Sequence, residues 1–197
     1  MGQLLSPSGA AGRLVTLIGP GGVGKTRLAL AVALELVDAF ADDVWFVDLS
    51  PLRDYRLVAA SVARALDVRE SGGRSAHELL IDALRERLVL LVLDNFEHVV
   101  DAAPLVADLL SRCPRLSVLV TSRTPLRLRA ERRFMVEPLS VPRADRALRR
   151  YQPYYASTAD WAWTRCSVTR CCCDGRTRCN LQHLYRHHLT SAEVADA

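Results

Sequence analysis

Short apolar runs of strand length alternate along this chain with longer stretches whose apolar residues recur every three to four positions. Leu14, Val15, Leu17 and Ile18 make residues 13–18 a buried-strand candidate. Leu28, Leu30, Ala31, Val32, Leu34, Leu36 and Val37 follow as a helix apolar on most sides, which suits packing on a sheet. Val44-Trp45-Phe46-Val47-Asp48-Leu49 reads as a second strand, residues 88–94 as a third, 117–121 as a fourth and 133–137 as a fifth. Between them, Ser50-Pro51 reads as an N-cap and first helical position for a helix running to about Leu66. Ser75-x-x-Glu78 is a capping box opening a helix through Leu79, Leu80, Ala83 and Leu84. Leu105, Val106, Leu109 and Leu110 predict another over residues 101–112, closed by Pro114. Strands and helices in this alternation predict an α/β fold, its mainly parallel five-stranded sheet covered on both faces.

One connection carries chemistry. Gly19-Pro20-Gly21-Gly22-Val23-Gly24-Lys25-Thr26 joins the first strand to the first helix and matches G-x-x-x-x-G-K-[ST] at every fixed position. Glycines let successive backbone N–H groups close around phosphate oxygens, and the helix behind them directs its positive end at the same anion. Lys25 is expected to reach the β- and γ-phosphates, the Thr26 hydroxyl to ligate Mg²⁺, and Arg27 to contribute to nucleotide binding. A second element ends in Leu91-Val92-Leu93-Asp94, 68 residues after Thr26. It brings a carboxylate to the carboxyl end of a strand, where open α/β sheets bind ligands, and Asp94 is expected to share the Mg²⁺ with Thr26.

Composition changes the picture in three ways. The chain has 26 basic residues, of which Lys25 is the only lysine. A guanine-reading N-K-x-D motif therefore cannot exist, and GTPases drop out. No apolar run approaches the ~20 residues of a membrane span, and no secretory signal opens the chain, so a cytoplasmic protein without membrane partners is expected. Finally, residues 143–197 hold five of six Cys, two of three Trp and the entire net charge of +4. Apolar periodicity disappears there. This predicts three segments: a flexible leader over 1–12, a nucleotide-binding core over 13–142, and a basic tail over 143–197 that is disordered or a frame-shifted reading of GC-rich DNA. The cysteine and histidine spacings in the tail fit no zinc-finger pattern, and no helix-turn-helix pattern supports DNA binding within this chain.

Residues 19–26, Leu91-Val92-Leu93-Asp94-Asn95-Phe96-Glu97-His98-Val99 and Val118-Leu119-Val120-Thr121-Ser122-Arg123 together resemble the NB-ARC-type STAND ATPases. The likeness is to the module found in actinobacterial SARP/AfsR- and LuxR-like transcriptional regulators, and it covers about residues 13–142. It implies a P-loop core with strand order 5-1-4-3-2, a switch binding ATP or ADP with Mg²⁺, and self-association or attached regulatory domains as partners. By this resemblance Gly19 to Thr26 are Walker A, Asp94 is the Walker B aspartate, and Arg123 is a sensor of the γ-phosphate. Active relatives place an acid after that aspartate to handle water. Here the position is Asn95, which can orient water but not deprotonate it, and Glu97 stands two residues on as the substitute candidate. Slow hydrolysis at most is expected, and the helical lid and winged-helix parts are not recognisable after Leu139. An inert remnant and a nucleic-acid binder acting through the tail are the rival readings.

Overall fold

The computed structural model describes residues 12–68 and 73–138, together with Leu5 and the short strand Cys179–Asn180. Strands β1 (Leu14–Ile18), β2 (Val44–Asp48), β3 (Leu90–Asp94), β4 (Ser117–Ser122) and β5 (Glu131–Met135) form a parallel sheet in the order β5-β1-β4-β3-β2. That is the expected strand order. Beyond it, β6 (Cys179–Asn180) pairs antiparallel with β2 through Trp45 and Phe46. The expectation of a disordered or frame-shifted tail otherwise lies outside the described residues.

Period-two alternation divides the strands between two cores. Val15, Leu17, Phe46, Val92 and Leu119 face α1 (Lys25–Glu35). Leu14, Val47, Leu91, Leu93, Val118 and Val120 face α2 (Val58–Ala65), α3 (Ala76–Leu84) and α4 (Ala103–Arg112). Burial of apolar side chains on both faces explains why the central strands read as continuous apolar runs. Leu5, inside the segment read as a flexible leader, is buried in the α1-side core. No described helix is long and apolar enough to cross a membrane.

The Ser75–Glu78 capping box forms as read, with the Ser75 hydroxyl accepting from the Glu78 N–H and the Glu78 carboxylate accepting from the Ser75 N–H. Two boundaries differ from expectation. Ser50 does not cap a helix, because its N–H and hydroxyl both donate to the Asp48 carboxylate at 2.8 Å. Asp54 instead caps a 3-10 turn over Tyr55–Leu57, and α2 starts only at Val58. The fifth strand lies two residues earlier than read. The Glu131 carboxylate accepts the N–H groups of Leu126 and Arg127, which tightens the preceding turn and starts pairing at once. Much of β5 is exposed, so it lacks the apolar signature that located the inner strands.

Candidate functional site

The glycine loop crosses from β1 to α1 at the carboxyl end of the sheet. Its entry is held by the Gly19 N–H on the Ser122 carbonyl (3.4 Å), and Gly19 has no room for a side chain: a Cβ would lie 2.6 Å from the Val136 carbonyl oxygen. The Val23 side chain folds back over Gly19. At Gly22 and Gly24 conformation rather than space demands glycine, since both are left-handed, with φ of 77° and 96°. Gly24 is the N-cap of α1. It offers no capping side chain, and the first turn holds no acidic residue, so the leading N–H groups of this helix have no side-chain acceptor. Pro20, Gly21, Gly22 and Gly24 are exposed, as is Arg27 in the first turn. The result is an open cradle of main-chain donors.

Lys25 is folded into this cradle. Only 8% of it is exposed, and its ammonium donates to the carbonyls of Gly19 (2.9 Å) and Pro20 (3.0 Å). Carbonyl oxygens are neutral partners for a buried cation, so neither of these bonds neutralises its charge.

One residue further, the Thr26 hydroxyl lies 2.9 and 3.0 Å from the two oxygens of Asp94. Asp94 is 3% exposed and also accepts from the Thr121 hydroxyl. Burial is the main reason its carboxyl titrates above the ordinary carboxylate range; the two threonine hydroxyls oppose the shift, while Asp48 and Glu97 add to it. A buried, reluctantly charged carboxylate beside a hydroxyl is an oxygen-only donor set. Among the described residues no group of three or more His, Cys, Asp or Glu side chains could hold a metal. The oxygen pair of Thr26 and Asp94 suits Mg²⁺, which takes one or two protein oxygens and keeps water and phosphate as its other ligands. Thr26 and Asp94 are the residues that would hold it.

Asp48, which sequence reading passed over as a site residue, completes the cluster. It ends β2 in register with Asp94 at the end of β3. The same sign that identified Asp94, an apolar strand finishing in a carboxylate, was present in Trp45-Phe46-Val47-Asp48. Asn95 bridges the pair, its Nδ2 donating to Asp48 Oδ1 (3.2 Å) and Asp94 Oδ2 (3.0 Å). Its own N–H donates to Thr121, and its backbone is left-handed (φ 61°), a conformation asparagine tolerates well. An acid at this position would add a third carboxylate to two others and remove both amide donors. Asn95→Asp is therefore expected to destabilise the protein by about 1–3 kcal/mol at neutral pH. Urea unfolding at pH 7 and pH 4.5 checks this, with the deficit shrinking at the lower pH as carboxylates protonate.

Arg123 follows β4 and reaches over the loop: a Cβ on Gly21 would meet its guanidinium at 3.3 Å. Its Nε lies 3.0 Å from Glu97 Oε1. The structure thus gathers Lys25, Thr26, Asp94, Asn95, Glu97 and Arg123 around one loop, with Arg27 at its rim.

A regulator of Mycobacterium tuberculosis named "Putative HTH-type transcriptional regulator" is 44% identical over 133 residues, covering 67% of this chain and 15% of that protein. An uncharacterized protein of the same organism is 39% identical over 165 residues, 80% of this chain and 42% of its own. The chain thus spans less than half the length of these curated relatives. Among solved structures, Cdc6p of Pyrobaculum aerophilum aligns over 64% of this chain and 40% of its own at 21% identity and a TM-score of 0.46. A STAND protein with a tetratricopeptide repeat sensor from Pyrococcus horikoshii aligns over 80% of this chain and 26% of its own, at 17% identity and a TM-score of 0.44. The sequence profile of the AAA domain matches residues 10–129. On that match, with the phosphate-type loop and the strand order around it, the chain belongs to the AAA-domain family of P-loop proteins.

Proposed function

We propose that this chain is an Mg²⁺-dependent ATP/ADP switch module of a STAND-type regulator of the NB-ARC kind, with slow hydrolysis at most. The observation that carries the reading is the convergence of the Thr26 hydroxyl on the Asp94 carboxylate at 2.9–3.0 Å, directly behind a loop that encloses the Lys25 ammonium. In the nucleotide-bound protein, main-chain N–H groups of residues 21–26 hold the phosphates and Lys25 exchanges its carbonyl partners for phosphate oxygens. Bound Mg²⁺ supplies charge neutralisation between the phosphates. Asn95 presents no carboxylate to take a proton from water, which supports a switch over a rapid ATPase.

The names of the mycobacterial relatives support a regulatory setting in transcription, with nucleotide state passed to attached domains or to further copies. The test is thermal unfolding of the full chain with Mg²⁺-ATP, Mg²⁺-ADP and Mg²⁺-GTP. A nucleotide present at 100 times its Kd is expected to add ~2.7 kcal/mol of stability. No shift with either adenine nucleotide would favour the inert-remnant reading instead.

A further inference from the structure

The pairing of Glu97 with Arg123 has a geometry that its two obvious readings, water activation and surface charge neutralisation, do not use. Arg123 and Glu97 form an ion pair in which Nε lies 3.0 Å from Oε1. The other carboxylate oxygen, Oε2, is buried and has no hydrogen-bond partner among the described residues. The pair therefore lacks the two parallel bonds that an arginine and a carboxylate free to choose their geometry commonly form. A guanidinium has five N–H donors in a fixed fork, and Nε carries only one of them. With Nε against Oε1 and Oε2 accepting no hydrogen bond, neither terminal nitrogen is hydrogen-bonded to Oε2. Of the guanidinium atoms, Nη2 comes nearest, at 3.3 Å, to where a Cβ on Gly21 would stand in the phosphate-type loop.

The two partners differ in freedom. The Glu97 side chain is 12% exposed, while that of Arg123 is 59% exposed. The carboxylate is the fixed member, held in the 3-10 turn Phe96–His98 whose Phe96 is wholly buried. The arginine is the member that needs holding, since a long exposed side chain otherwise samples many rotamers and forfeits that entropy on meeting a ligand.

We propose that Glu97 is a positioning residue, which grips Arg123 by Nε and aims its terminal nitrogens at the outermost phosphate of a triphosphate, so that the site distinguishes triphosphate from diphosphate. This rests on the nucleotide-switch reading and adds the residue that sets its selectivity. It also assigns Glu97 a task other than deprotonating water.

The test is isothermal titration of the full chain with Mg²⁺-AMP-PNP and Mg²⁺-ADP. Glu97→Gln is expected to weaken AMP-PNP binding three- to tenfold with ADP affinity unchanged, and Glu97→Asp to fall between it and wild type. Arg123→Ala should remove the same selectivity, and Glu97→Gln added to Arg123→Ala should change the AMP-PNP/ADP ratio no further. An unchanged ratio in Glu97→Gln overturns the proposal, and so does a raised one, which would mean that Glu97 competes with phosphate for the guanidinium. Equal loss for both nucleotides, or the same loss with and without Arg123, marks a general structural role and overturns it too. If neither nucleotide binds the wild-type chain, the switch reading itself fails, and with it the selectivity built on it.

Discussion

Lys25→Ala is expected to weaken Mg²⁺-ATP binding at least ~10-fold, since it deletes charge-assisted contacts worth ~1.5–3 kcal/mol. In the structure the ammonium lies against two carbonyls of its own loop, 2.9 and 3.0 Å away. Those bonds hold the cation in place without neutralising it. Phosphate oxygens carry negative charge and are the stronger partners, so binding exchanges weak acceptors for strong ones at little cost in side-chain order. Loss of the ammonium also leaves the buried Gly19 carbonyl without this donor, and the empty protein is expected to lose some stability as well. Titration of wild type and variant with Mg²⁺-ATP measures the first effect, and urea unfolding without nucleotide measures the second. Equal affinities would remove Lys25 from the phosphate-binding role.

Asp94→Asn should separate folding from metal binding. The folded protein raises the carboxyl above its ordinary 3.8, chiefly through burial. A raised acid favours the protonated folded state, so its contribution to stability is full below 3.8 and is lost as pH rises through the elevated folded value. The wild-type protein without nucleotide is therefore expected to lose stability, relative to Asp94→Asn, on going from pH 4 to pH 7. Mg²⁺ reverses the preference, because it needs the charged form. In the variant the Mg²⁺-dependent part of nucleotide binding should fall at least tenfold, ~1.4 kcal/mol. Tm measured against pH, with and without Mg²⁺-ATP, tests both signs together. A variant that keeps full Mg²⁺ dependence would show that Asp94 is not a metal-side residue.

What could be read from the chain and what could not follow one physical division. The inner strands were legible because burial on two faces forces unbroken apolar runs such as Leu90-Leu91-Val92-Leu93, and the phosphate-type loop because its glycines and Lys25 admit few substitutes. The strand order followed from the family likeness of three motifs, and the sheet has that order. Less legible were features set by side chains meeting across the fold. Ser50 reads as a helix cap in isolation, yet the neighbouring Asp48 carboxylate takes both its donors. The edge strand β5 carries Glu131, Arg132 and Arg133, whose polarity hides its pairing with β1. Asp48 and Thr121 join the site only through contacts 26 to 47 residues away in sequence. In the sequence Asn95 stands where an acid is expected; in the fold it joins two carboxylates.

The burial of Lys25 has one further consequence. Because no other lysine exists in these 197 residues, every side-chain primary amine of the chain sits inside the phosphate-type loop. Acylating reagents, crosslinkers and lysine-modifying enzymes thus find a single ε-amino target, shielded by carbonyls, and any adduct formed there occupies the seat of the ligand itself.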